Sequence, residues 1–332
     1  MTKAELILAG LVLASPAAAR GGAAPERPDA GALLVAALSA PTTAYMARGR
    51  IQSFAPGRKP KALGITVYFL PDGRLRREIR AGPNRPAEQV FIDDGSEQRL
   101  YWPKLGTLWT GSMMHEAAVE RAARLRLLYD VAVSTGGRVA KHATWRLDLR
   151  APDGRLRRAL WVDRANGRPL KFEEYRLDGA LLRRERLTAL AEASLDPGLF
   201  RLKVPPGTSI APMTAPRGPT EPGALFPRWI PDGFLALDSR SEAVGSGRTL
   251  VIGYGDGVET FTLREARGSA PGPAGTTGRL VHLKDGSRAA LLFGKDGPRL
   301  EFRSRGRACS IEGEIAEDEM LHVADSLAAA RP

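Results

Sequence analysis

Residues that do chemistry are scarce in this chain. Among 332 residues there is one cysteine, Cys309, and four histidines, His115, His142, His282 and His322. A single cysteine excludes a disulfide within the chain, and no Cys/His spacing fits a zinc site. There is no G-x-S-x-G elbow to present a serine nucleophile and no G-x-x-x-x-G-K-[ST] run to cradle phosphates. The glycine-rich GYGDGVE at 253–259 lies between two strand-like segments, so it reads as a hairpin. Acidic pairs occur at Asp93-Asp94 and Glu173-Glu174, but successive strand residues face opposite ways and cannot flank one scissile bond. Neither an enzyme nor a metal or other cofactor is expected.

Long apolar runs are missing too. None approaches the roughly 20 residues that cross a bilayer. The short run LILAGLVLA (6–14) follows Lys3 and precedes SPAAARG, which offers Ala17-x-Ala19 as a cleavage site. That pattern describes a signal peptide over 1–19, and hence a periplasmic protein. Its removal takes Lys3 and Glu5, one charge of each sign, so the net charge stays at +12. The basic runs RLRREIR (74–80), RLRR (155–158) and RRER (183–186) are short and sit beside turns. They read as solvated strand faces, or as attraction to anionic head groups or an acidic protein. Without a dense basic helix or a stacking motif, no nucleic-acid partner is expected.

Turn signals are abundant. Asp-Gly stands at 72–73, 94–95, 153–154, 178–179, 232–233, 256–257, 285–286 and 296–297, and Asn166-Gly167 adds another. Such pairs supply the positive φ that tight hairpins demand. The stretch 161–187, with turns at 166–167 and 178–179, predicts three consecutive strands. TWRLDL (144–149) alternates Trp145, Leu147 and Leu149 against Arg146 and Asp148. ITVYFL (65–70) is apolar on both faces, as in a sheet covered on both sides. The fold class is therefore mainly β within α+β. Helices are expected over 29–40, 115–132 (stripe Val119, Ala122, Leu125, with Leu128 or Tyr129) and 316–330 (Met320, Val323, Leu327). The Pro/Gly-rich stretch 204–225 reads as a linker between domains at 25–203 and 226–330, and 268–278 as a mobile loop.

Tyr101, Trp102, Leu108, Trp109, Met113 and Met114 cluster just before the second helix. They suit either an adaptable apolar cavity or an ordinary core. WVDRANGRPLKFEEYRLDG (161–179), followed by LDPGLFRLKVPPG (195–207), resembles LolA/LolB-like lipoprotein-sorting domains over about 41–207. That resemblance implies an incomplete antiparallel β-barrel wrapped around helices, enclosing an apolar cavity for acyl chains. PRWIPDGFLALDSR (227–240), LVIGYGDGVETFTLREAR (250–267) and IEGEIAEDEMLHVADSL (311–327) resemble the smaller α+β C-terminal domain of the MucB/RseB family. The family joins the two domains, holds the exported segment of an anti-sigma factor, and shields it from a protease until lipid or mislocalised lipoprotein binds. By the resemblance, the cavity falls to Val67, Phe69, Leu100, Trp102, Leu108, Trp109, Met113, Met114, Leu125, Leu128, Trp145, Leu147, Trp161 and Phe172. Partner contact falls to Trp229, Tyr254 and Phe261. A LolA-type carrier of lipoproteins or lipids is the alternative, and an envelope scaffold without a ligand is a third.

Overall fold

The computed structural model describes residues 27–329 except 56, 83, 112–115, 213–223, 245–246, 268–277 and 295–296. The expected signal peptide, Met113 and Met114, all but Gly278 of the expected loop at 268–278 and half of the expected linker lie outside these residues. Among the described residues no helix is long and apolar enough to cross a membrane.

The chain divides into two compact units. The first comprises residues up to Ser53, Pro60–Glu174 and Leu181–Ile210; the second comprises Phe54–Lys59, Tyr175–Ala180 and Ala211 onward. In the first unit, α1 (Ala30–Leu38) starts where Asp29 Oδ1 accepts a hydrogen bond from Ala32 N at 2.8 Å. Leu33, Leu34, Ala37 and Leu38 are buried along one side of it. Six strands follow: β1 (Tyr45–Ser53), β2 (Lys61–Phe69), β3 (Leu75–Arg80), β4 (Ala87–Asp93), β5 (Gln98–Trp102) and β6 (Thr107–Gly111). Next come α2 (Ala118–Leu128), β7 (Asp130–Val139), β8 (His142–Arg150), β9 (Leu156–Asp163), β10 (Pro169–Tyr175), β11 (Leu181–Glu192) and β12 (Ser209–Pro212).

These strands form one sheet in the order β12-β6-β5-β4-β3-β2-β1-β11-β10-β9-β8-β7. Two meanders are joined where β1 pairs antiparallel with β11, Tyr45 facing Glu192 and Ile51 facing Glu185. No pairing joins β12 to β7 in this order, so the sheet is open at those strands and no closed barrel is seen. The expected meander over 161–187 is present as β9, β10 and β11. Gly167 takes φ 75° at the first turn, where a Cβ would stand 2.8 Å from the Ala36 Cβ of α1. Glycine is needed there both for the positive φ and for the close approach.

Expectations about the second helix change in two respects. The second helix ends at Leu128 rather than 132, because Asp130, Val131 and Val133 enter β7 in register with Arg150, Leu149 and Leu147 of β8. The cross-strand pairing of β-branched residues outweighs the helical spacing. Val119 is 65% exposed, so the buried side of α2 consists of Ala122 and Leu125 without it. The start of the expected linker also gains structure, since Ser209 N donates to Gly106 O at 2.8 Å and β12 extends the sheet edge.

In the second unit, β13 (Leu225–Pro227) precedes β14 (Leu235–Val244), β15 (Gly247–Gly255), β16 (Thr260–Arg267), β17 (Gly278–His282), β18 (Arg288–Gly294), β19 (Gly297–Ser304) and β20 (Arg307–Gly313). The described residues of this unit end in α3 (Glu317–Asp325) and β21 (Leu327–Ala329). The larger sheet runs β14-β15-β16-β20-β19-β18-β17, and β13 pairs with β21. Glu319 Oε2 accepts from Ala316 N at 2.8 Å to start α3, whose Met320 and Val323 enter a core with Ile252, Leu263, Leu300 and Ile311. The expected third helix over 316–330 is thus shorter, because Leu327 pairs with Pro227 as a strand.

Candidate functional site

Directly opposed residues on neighbouring strands share a face of the sheet, so the registers assign each expected cavity residue. Tyr45 faces Phe69, Ala47 faces Val67, Val67 faces Arg77, Arg77 faces Phe91, Phe91 faces Leu100 and Leu100 faces Trp109. Val67, Phe69, Leu100, Trp102 and Trp109 therefore lie on the face that carries Tyr45. The Trp102 and Trp109 rings meet edge to face at 5.3 Å, and Tyr45 stacks on Phe69 at 5.6 Å. Neither indole N–H finds a hydrogen-bond partner among the described residues, although both nitrogens are buried.

Leu147 faces Leu160, which faces Phe172, and Trp145 is two residues from Leu147 on the same side of β8. Arg183 joins this group to the Tyr45 face, because its guanidinium lies 5.4 Å over the Phe172 ring while Glu185 beside it faces Ile51. Trp145 is covered by Arg164 at 3.9 Å. Leu125 is buried on α2, and Leu128 is half-buried at its end.

Two expected cavity residues are on the other side. Leu108 faces Tyr101, and both pack with Val90, Ile92 and Phe200. The tail LDPGLFRLKVPPG supplies that cover: Asp196 Oδ1 accepts from Gly198 N at 2.8 Å, and the short helical turn Pro197–Phe200 lays Phe200 on the sheet. Arg76 secures it by donating to Leu199 O at 2.7 Å. Trp161 opposes Arg146 and Lys171, with the Lys171 ammonium 3.5 Å and the Arg146 guanidinium 5.0 Å over its ring. It serves as a cation–π platform away from the Tyr45 face. Period-two spacing separates the faces, but only the register says which of them is which.

The Tyr45 face also carries charges that a search for apolar residues passes over. Arg77 donates to Glu185, Arg183 Nη2 lies 3.7 Å from Glu185, Arg183 Nη1 lies 4.0 Å from Glu174, and Arg158 Nη2 donates to Glu174 at 2.6 Å. All five side chains are largely buried. Burial drives the Arg77 pKa below its ordinary value, Glu185 opposes that, and the like charge of Arg183 adds to it. Nearby Tyr45 is pushed up to about 12 by burial, against the pull of Arg168, whose guanidinium lies 4.3 Å over its ring. The signal for this ladder was in the basic runs. Arg77 belongs to RLRREIR, Arg158 to RLRR and Arg183 to RRER, so these runs are not simply solvated faces. Glu173 and Glu174 do point apart: Arg184 Nε donates to Glu173 at 2.6 Å, whereas Glu174 meets Arg158.

In the second unit, Tyr254 and Phe261 stack at 4.7 Å inside the core rather than presenting a surface. Burial raises the Tyr254 pKa. Trp229 is half-buried, its ring stacked on His322 at 3.9 Å, and its backbone N–H donates to Ser326 Oγ at 3.2 Å. Of the three expected partner residues it is the one with an accessible part. Among the described residues no three His, Cys, Asp or Glu side chains group as a metal site.

No protein-family model matches the chain, and no curated protein matches it by sequence. Solved structures do. MucB in complex with MucA(peri) matches at 17% identity and a TM-score of 0.50, over 87% of this chain and 94% of that one. The Pseudomonas aeruginosa MucA/MucB complex matches at 17% and 0.53, over 92% of this chain and all of that one. The chain has the MucB fold. A structure of MucB alone agrees, at 18% identity and a TM-score of 0.52, over 89% of this chain. The MucB likeness spans residues of both units.

Proposed function

We propose that the chain is an extracytoplasmic regulator, one that binds the exported segment of an anti-sigma factor and shields it from proteolysis. A lipid or mislocalised lipoprotein bound by the first unit releases that segment, a coupling between two sites. The carrying observation is that complexes of MucB with MucA match 87% and 92% of the chain. Residues 1–19 support placement in the periplasm.

For the lipid, support comes from the Tyr45 face. The indole N–H groups of Trp102 and Trp109, without a partner among the described residues, suit the carbonyl oxygens of an acylated ligand. Each methylene buried there contributes about 0.8 kcal/mol. That same face is what favours the second reading, a periplasmic carrier of the LolA type.

The test is in-envelope cross-linking of the tagged protein, followed by mass spectrometry of its companions. A single-span anti-sigma factor among them, whose exported segment the purified chain protects from protease, establishes the regulator. Lipoproteins alone establish the carrier and refute the regulator.

A further inference from the structure

At one end of the first unit the chain forms an open cleft of about 580 Å³. Ala30 of α1, Arg126–Tyr129 at the end of α2, Asp130 and Val131 of β7, and Arg150–Pro152 with Gly154 at the β8–β9 turn line it. Its size falls among small-molecule sites, which span roughly 300–1,000 Å³. Only Leu128 belongs to the apolar residues expected to form a cavity. The cleft is thus a different place from the tryptophan pair on the Tyr45 face.

Its chemistry is two-part. Leu127, Leu128, Val131 and Pro152 provide apolar wall, and Leu127 is 87% exposed at the mouth. An isolated exposed leucine means little, but several apolar residues around one concavity mark a binding surface. Arg126 and Arg150 stand beside this wall, with Asp130 as the one acidic lining residue. Gly31 leaves room for the Arg126 guanidinium against α1. Arg150 Nη1 donates to Gly154 O at 3.2 Å, which orients its guanidinium at the turn, and its side chain remains 42% exposed. A planar guanidinium so held suits a phosphate or carboxylate.

We propose that this cleft binds a single-chain anionic amphiphile, its tail along Leu127, Leu128 and Val131 and its phosphate between Arg126 and Arg150. The inference rests on the lipid part of the proposed function and gives it a location and a head-group charge. The phosphate alone lacks the apolar contribution, whereas the tail alone makes no use of Arg126 or of Arg150, whose Nη2 otherwise has Asp148 at 3.7 Å.

Calorimetric titration of the full chain with octyl, decyl and dodecyl phosphate, each below its micelle concentration, tests it. Affinity should rise about fourfold per methylene. Inorganic phosphate should show no measurable binding, and dodecyl maltoside should bind at least tenfold more weakly than dodecyl phosphate. Ala151→Trp, at the half-buried start of the β8–β9 turn, fills the cleft without changing a charge and should abolish binding. The Arg126→Gln/Arg150→Gln pair should remove the preference for phosphate over maltoside.

Dodecyl phosphate binding equally to wild type and to both folded variants overturns the cleft while leaving the lipid reading intact. Inorganic phosphate binding as tightly as dodecyl phosphate also overturns it, since it marks a plain anion site. Failure of wild type to bind any of these amphiphiles overturns the cleft and the lipid reading together. Capture of the anti-sigma segment is measured separately, and its loss with cleft binding intact removes the regulator and supports the cleft.

Discussion

Removing Glu185 should unbalance the first unit more than any exposed substitution. Arg77 and Arg183 both rely on it, and both are largely buried on the Tyr45 face. At the 3.7 Å between Arg183 Nη2 and Glu185, two unit charges attract by roughly 4 kcal/mol at an effective dielectric of about 20. Without the carboxylate, Arg77 is left beside the like charge of Arg183, which keeps Glu174 at 4.0 Å, and the Arg77 Nε has no hydrogen bond among the described residues. Breaking a buried pair from one side costs about 3–5 kcal/mol. Glu185→Gln keeps a carbonyl acceptor, so its cost belongs near the lower end, about 3 kcal/mol. The double change Arg77→Met/Glu185→Leu removes both members of the pair and should cost less than Glu185→Gln alone. Urea unfolding followed by tryptophan fluorescence measures this, because Trp102, Trp109, Trp145 and Trp161 report on the first unit and only Trp229 on the second. A Glu185→Gln loss below about 0.5 kcal/mol, the range of ordinary surface changes, would refute the claim that the ladder is a buried, coupled system.

Gly167→Ala should cost about 1–3 kcal/mol, since the new Cβ meets both a positive φ and the Ala36 side chain; unchanged thermal stability would disprove the close approach. Burial pushes the Cys309 thiol from 9.0 up to about 11. Roughly one molecule in a thousand then carries the thiolate at pH 8, so thiol reagents should label the native chain far more slowly than the unfolded one, and equal rates would contradict the burial. A thiol with a raised pKa adds stability that is present below its ordinary value and lost as pH rises through about 11. For Glu242, burial acts to raise the pKa, but Arg240 and Arg264 outweigh it and hold the carboxyl below 4.5. Its stabilisation is present above that value and lost as pH falls, so Glu242→Gln should flatten the acid side of the stability profile; an unaltered slope in pH-dependent urea unfolding would remove Glu242 from that role.

Alternation and turn chemistry carried much of the fold. Asn166-Gly167 and Asp178-Gly179 marked the β9–β10–β11 meander, because positive φ at a tight turn is a local demand. Trp145, Leu147 and Leu149 were legible as one face for the same reason. Helix ends were less legible: nothing local separates Leu128 in a helix from Asp130 in a strand when β8 decides the pairing. The candidate site was legible only in part. Leu108 and Trp161 look like cavity residues by type, yet the register turns them to the opposite face. The cleft around Leu127 and Arg150 joins α2 to the β8–β9 turn and has no signature in either segment alone.

By itself the sequence determined the antiparallel β character, the places of the tight turns and the scarcity of nucleophiles and metal ligands. Those follow from backbone preference and side-chain chemistry, which act over a few residues. Only the tertiary structure decided that Arg77, Arg158 and Arg183, from three separate basic runs, meet Glu174 and Glu185 on one face. Strand order and register fix such meetings, and a one-residue slip would send every one of those side chains to the other side of the sheet.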